Sequence, residues 1–320
     1  MKFDGMMVGI FEKYMYIYAD TQEKNLSTMM TAFISNVKKD GLMSIFSSSQ
    51  NKDTISEDTI MNLANESHRP HNISLVLPAA GEIFLYYKRC LIQFSKMKNL
   101  NCIDLIIKIF KKYLKEFIHN ILEPSLPKNI AKSSIEKGVP TEILEIYCCI
   151  ISTSSYCTDT IDQLEVKICE LLGDSNSSEM SFLSIKKLYD SLTTNSINHI
   201  VQIVEYACET GYQSRSKINW SNYEDVGDQS HYVSIFADIL KEYFCSIRDY
   251  LYSFEKYYDI FCFKFISCFL PKYINEIFNS KPIAQSGIEQ LLLDTQVFKK
   301  FLIYLPSIGL EENNTSVEYH

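Results

Sequence analysis

The chain of 320 residues is 46% hydrophobic and 22% charged, which excludes a disordered polymer and leaves apolar mass for about two domains. A formal net charge of −8 and a pI near 5.4 exclude a protein whose main work is neutralising phosphates, so no nucleic acid is expected as a partner. The ten cysteines lie mostly in apolar helical stretches, as at Cys148, Cys149, Cys262 and Cys268; they read as core thiols in a reducing compartment, not as a disulfide framework.

In chain order, Asp4 and Glu12 interrupt the pattern of a secretory leader. From about Phe3 to Val37, apolar residues recur at helical spacing through Ile10, Tyr14, Ile17, Tyr18, Leu26, Met29, Met30 and Phe33, predicting one long or kinked helix. Ser44 to Leu77 turns to Ser, Asn, Asp and Gln and reads as a loop. Its His68-x-x-His71 pair lacks a cysteine or acidic partner at ligand spacing, so no metal is expected there. Two helices follow, Ala79 to Phe94 and Ile103 to Ile121, each with an apolar face of Ile, Phe, Tyr and Leu.

Three prolines, a glycine and Ser133-Ser134 break the periodicity between Glu123 and Pro140 and mark a domain boundary. Thr141 to Leu172 reads as a helix bending at Ser152 to Ser155, and Glu179 to Cys208 as another. Glu142 and Glu145 are helical neighbours, and a solvated face accounts for them as well as acid–base chemistry does. Tyr232, Ile235, Phe236, Ile239, Leu240, Tyr243, Phe244, Ile247, Tyr250, Leu251 and Phe254 follow the helical template throughout, with Asp228 or Ser230 as the expected N-cap. Tyr257 to Phe278 continues as a helix kinked at Pro271, and Asp259, Lys264 and Lys272 keep it from spanning a bilayer. The last helix is Gly287 to Tyr304. No alternating strand pattern and no fixed repeat occurs.

The expected fold is therefore all-α, in two antiparallel helical bundles: 1–125 with a polar loop near 44–77, a linker at 126–140, and 141–320. There is no Cys-x-x-Cys, His-Glu-x-x-His, Gly-rich phosphate loop or Gly-x-Ser-x-Gly elbow, so neither catalysis nor a cofactor is expected. Two features remain. Lys88 to Lys115 holds eight basic residues against Asp104 alone; Lys108, Lys112 and Lys115 share a helical face, which with Lys111 reads either as solvated or as facing an anionic bilayer or acidic partner helix. The single tryptophan, Trp220, opens a loop with Tyr223, Asp225, Asp228 and Gln229, and reads either as a core anchor or as a partner's hot spot.

Trp220 to Val233, Gly287 to Thr295 and Leu305 to Gly309 together resemble the C-terminal region of the vacuolar protein sorting-associated protein 53 family. Further matches run in the same order: Phe84 to Cys90, Phe110 to Leu114, Tyr156-Cys157 with Gln163 to Glu165, and Phe265 to Ile274. The resemblance implies an elongated rod of stacked helical bundles, as in other multisubunit tethers. It implies a non-catalytic subunit module of the Golgi-associated and endosome-associated retrograde tethering complexes, at the cytosolic face of the trans-Golgi network and endosomes. Implied partners are sister subunits, SNAREs, small GTPases and, peripherally, an anionic membrane. Trp220, Tyr223, Asp225, Asp228 and Gln229 are then candidate partner contacts, and Lys108, Lys111, Lys112 and Lys115 candidates for an acidic surface. The family's N-terminal coiled-coil half has no match here, so assembly through it is not expected of these residues. A purely structural spacer, or a helical enzyme with a dispersed site, are the rival readings.

Overall fold

Helical spacing of apolar side chains sets the secondary structure, and a computed structural model describes it for residues 4–42, 75–96, 103–127, 140–172 and 181–308. Its helices are α1 (Asp4–Asp40), α2 (Pro78–Lys96), α3 (Ile103–Phe117), α4 (Thr141–Leu172), α5 (Leu183–Ala207), α6 (Glu209–Ser216), α7 (His231–Tyr250), α8 (Glu255–Asn279) and α9 (Gln285–Tyr304). No strand occurs among the described residues, so the all-α expectation holds. None of these helices is long and apolar enough to cross a membrane. His68, His71, most of the polar loop and most of the linker lie outside the described residues.

Two differences from the sequence reading have local causes. The helix expected to run to Ile121 widens into a π turn at Ile118–Leu122 before a last turn, Glu123–Ser125. Pro124 has no N–H to donate and its ring crowds the preceding turn, which favours the wider turn. The helix expected to reach Phe254 ends at Tyr250, with Leu251 leaving helical geometry and a 3-10 turn following at Tyr252–Phe254. Ser230 is its N-cap in position, but its side chain makes no cap bond.

The fold divides into two compact units, Met1–Pro70, Ser74–Pro127 and Cys149–Thr194 in one, His71–Ile73, Lys128–Cys148 and Asn195–His320 in the other. Residues 149–194, which the Pro/Gly-rich linker assigns to the second bundle, thus group with the first. A linker marks where periodicity breaks, whereas grouping follows which faces bury one another. In the first unit Tyr87 stacks on Phe110 with ring centroids 3.8 Å apart and donates its hydroxyl to Phe110 O at 3.0 Å. Phe84 meets Tyr156 edge-on at 6.0 Å, and Thr153 Oγ1 accepts the backbone N–H of Leu77 at 3.0 Å, fixing the entry to α2.

The second unit is built on aromatics. Phe236 of α7 is fully buried among Tyr212 at 5.0 Å, Phe269 at 5.5 Å and Phe298 at 5.5 Å, drawing α6, α8 and α9 onto one side chain. Phe244 repeats the arrangement with Phe261 and Phe265. Edge-to-face pairs such as Phe236 with Tyr212 and Phe269 add about 0.5–1.5 kcal/mol each beyond the area they bury.

Candidate functional site

The loop after α6 is fastened from beneath. Trp220 is 5% exposed, stacks on Tyr223 at 5.6 Å and meets Tyr232 edge-on, and the guanidinium of Arg215 lies 5.7 Å from the rings of both Trp220 and Tyr232. Arg215 is itself buried, donating from Nη1 to Glu276 O at 2.7 Å and from Nη2 to Ser280 Oγ at 2.8 Å. The tryptophan is therefore a core anchor, and its indole is not presented to a partner.

The remainder of the loop is held by α9. Gln290 and Asp294 are one helical turn apart and fully buried. The Gln290 side chain accepts the Gly227 N–H at 3.1 Å and donates to Asp228 O at 2.8 Å and to Asp294 Oδ1 at 3.0 Å. Asp294 Oδ1 also accepts the Ser230 N–H at 2.8 Å. Ala284 N–H donates to Trp220 O at 2.8 Å, and Ser286 Oγ donates to Tyr223 O. A Cβ at Gly287 would sit 2.9 Å from Trp220 O, so only glycine lets α9 approach this closely. Polar backbone groups of an irregular loop are thus satisfied by side chains of a regular helix.

This clamp sets what faces outward. Asp225, Asp228 and Gln229 are exposed, Tyr223 is half-buried, and Gln229 Nε2 donates to Ser234 Oγ at 3.0 Å. Reading the sequence singled out both segments, Val226 to Ser230 and Gly287 to Thr295, without indicating that they meet. It did not single out Arg215, Gln290 or Asp294 as functional. The available signal was polar residues four apart, at 290 and 294, on the apolar stripe of α9 with Leu291 and Phe298. Burial raises the Tyr232 hydroxyl's pKa far above its ordinary value, and its interactions with Tyr273 and Asp294 push in the same direction.

The lysines lie on the first unit, along α3. Lys108, Lys111, Lys112 and Lys115 line a hollow of about 570 Å³ with His119 and Asn120, the last two carried by the π turn, and with Glu116 among them. Lys112 is paired with Glu23 of α1 at 2.6 Å, and Lys111 Nζ lies 5.1 Å from the centre of the buried Phe182 ring. Lys108 and Lys115 are exposed and form no ion pair among the described residues. A second hollow of about 360 Å³ shares Lys108 and Lys112 and adds Tyr16, Leu105 and Ile109 with Asp20 and Glu23.

Nothing described assembles catalytic groups. Burial pushes the Cys157 thiol up to about 12 and the Cys262 thiol to about 12, against the direction a nucleophile requires. Cys169 and Cys268 are exposed, which corrects the reading of Cys268 as a core thiol. The outward position of Cys268 on α8 leaves Phe265 and Phe269 to face the core. Among the described residues no group of His, Cys, Asp and Glu is placed to hold a metal. Glu145 has a raised carboxyl pKa, from burial first and then from Glu142.

The sequence has curated relatives with one shared name. It is 25% identical over 96% of its length to a vacuolar protein sorting-associated protein 53 homolog of Caenorhabditis elegans. It is 22% identical over 99% of its length to vacuolar protein sorting-associated protein 53 A of Arabidopsis thaliana. Over 58% of its length it is 30% identical to vacuolar protein sorting-associated protein 53 of Saccharomyces cerevisiae. These bear out the resemblance drawn from the motifs. The chain spans 37%, 35% and 23% of the three relatives' own lengths. No family profile matches it. No solved structure matches it.

Proposed function

We propose, on the premise that the chain is a relative of the vacuolar protein sorting-associated protein 53 family, that it is a non-enzymatic helical module of a vesicle-tethering subunit. It works in retrograde transport from endosomes to the trans-Golgi network and in endocytic recycling, on the cytosolic face of those membranes. Its partners are sister subunits of the tether, with SNAREs or small GTPases as the trafficking ligands. The observation carrying this reading is the clamped loop, whose Asp225, Asp228 and Gln229 are exposed while its backbone bonds to the buried Gln290 and Asp294. A loop ordered before binding loses little conformational entropy on docking, so a few exposed polar groups suffice for specificity. Tyr223 and Trp220 support that surface, and the lysines of α3 offer a second contact for an acidic surface.

The test is affinity purification of the tagged native protein from its own cells, with mass spectrometry of what remains bound. Recovery of tethering-complex subunits, reduced severalfold in an Asp225→Arg/Asp228→Arg variant that folds normally, is the expected result. Unchanged recovery in that variant refutes the loop's role. Absence of every tethering subunit from the native sample refutes the functional reading as a whole.

A further inference from the structure

On α8, apolar side chains stand on both sides of the helix. Phe261, Phe265, Phe269 and Tyr273 are buried in the second unit, while Phe263 is 74% exposed, Leu270 40%, Ile274 43% and Phe278 62%. Their spacing of seven, four and four residues puts the exposed four on one outward stripe, with Ser267 between the first two, over roughly 22 Å of helix. No charge stands on that stripe: Lys264 turns aside to Asn198 of α5 at 2.7 Å, Lys272 to Glu209 of α6 at 3.3 Å, and Glu276 is half-buried. A helix that is apolar all round normally has both faces covered. The two phenylalanines alone expose roughly 270 Å² at about 200 Å² a ring. Leu270 and Ile274 bring the patch to roughly 400 Å², a size that marks an interaction site on a single chain.

We propose that this stripe pairs, in antiparallel orientation, with the same stripe of α8 on a second copy of the chain. It is self-complementary in the way a two-fold axis requires, since a midpoint between Leu270 and Pro271 relates Phe263 to Phe278. Phe263 of each copy then covers Phe278 of the other, and Leu270 meets its own equivalent near the axis. The charges fit the same register. Asp259 lies four residues before Phe263 and Lys281 three residues after Phe278; both are exposed, and neither forms an ion pair among the described residues. Antiparallel pairing brings Asp259 of each copy to Lys281 of the other, whereas parallel pairing sets like charges together. Lys281 Nζ rests 5.9 Å from the centre of the Phe278 ring, at that end of the stripe. The area also suffices: two patches of roughly 400 Å², in an interface about two-thirds apolar, make roughly 1,200 Å², the lower limit of specific association. An anionic bilayer is disfavoured by Asp259 at one end and by the net charge of −8. This inference goes beyond the tethering reading and does not rest on it.

The experiment is sedimentation velocity of the full chain across the micromolar range, where an interface of this size associates. A reductant keeps the exposed Cys169 and Cys268 from crosslinking copies. A concentration-dependent equilibrium between monomer and dimer is the expected result. Leu270→Glu, at an exposed position beside the axis, should weaken it at least about tenfold with the circular dichroism unchanged. Asp259→Lys and Lys281→Asp should each weaken it severalfold, and the two together should restore it, because the swapped pair is again of opposite sign. A chain that is monomeric throughout, a dimer indifferent to Leu270→Glu, or a double charge variant no better than the single ones overturns the proposal. So does flotation with neutral phosphatidylcholine vesicles that requires Phe263 and Phe278 while the chain stays monomeric, which assigns the face to lipid. If the chain stays monomeric and Leu270→Glu instead loses a sister subunit from the native complex, the proposal is likewise overturned and the face belongs to that subunit.

Discussion

Removing the Asp294 carboxyl tests the loop clamp directly. Oδ1 accepts two donors, Ser230 N–H at 2.8 Å and Gln290 Nε2 at 3.0 Å, in a side chain with no solvent exposure. Asp294→Ala orphans both, and a buried donor without a partner costs about 1–3 kcal/mol. The loop can lift and hydrate, and a buried carboxyl's desolvation cost disappears with it, so the net loss should be about 2–3 kcal/mol. Asp294→Asn keeps an acceptor at this position and should lose about 1 kcal/mol, because bonds to an uncharged acceptor are roughly half as strong. Two units need not unfold together, so the decisive assay is local: hydrogen exchange at the amides of Gly227 and Ser230. Exchange there should accelerate by about 30-fold to 150-fold in Asp294→Ala, at roughly 1.4 kcal/mol per factor of ten. Gln290→Ala should do the same, and the double variant should fall short of the sum by about 0.5 kcal/mol or more, since the two side chains share a bond. Unchanged exchange at Ser230 in Asp294→Ala refutes the clamp.

Three further predictions follow from burial. Gly287→Ala should displace the Trp220 turn and cost about 1–3 kcal/mol, because the new Cβ meets Trp220 O and Ile283 Cγ2 at 2.9 Å; a shift in tryptophan fluorescence would report the displacement. Iodoacetamide at pH 8 should label Cys169 and Cys268 and spare Cys157 and Cys262 by mass spectrometry. The latter two thiols hold their protons up to about 12 when folded against 9.0 ordinarily, so their contribution to stability is full below pH 9 and is lost as pH rises from 9 towards 12. Glu145 also binds its proton more tightly in the folded state, so its contribution is present below its ordinary pKa and is lost as pH rises through the raised one. Glu145→Gln should therefore raise the melting temperature at pH 7 and not at pH 4.

What the sequence made legible was the part governed by a single period. In α7 the buried Tyr232, Phe236, Leu240, Tyr243, Phe244 and Ile247 follow the helical template. The expected boundaries of α4 coincide with those observed, Thr141–Leu172, because apolar spacing and flanking turn residues agree. Where two local effects compete, the reading went astray: Pro124 widens the turn before it, and Leu251 ends α7 although Phe254 would continue its stripe. The grouping of 149–194 with the first unit was not legible, because periodicity tells which face of a helix is apolar and not which neighbour covers it.

The clamp shows the same limit in a functional setting. Asp225, Asp228 and Gln229 were readable as exposed polar residues in a loop, but what orders them lies 62 to 64 positions further along, in the pairs Asp228–Gln290, Gly227–Gln290 and Ser230–Asp294. A polar residue on an apolar helical stripe is the one local trace of such a long-range bond. Its burial is costly unless a distant backbone group completes it. In α9 that trace occurs twice, one turn apart, at Gln290 and Asp294. Together they account for why the irregular segment of eight residues from Tyr223 to Ser230 can present a fixed surface without a strand or a metal to hold it.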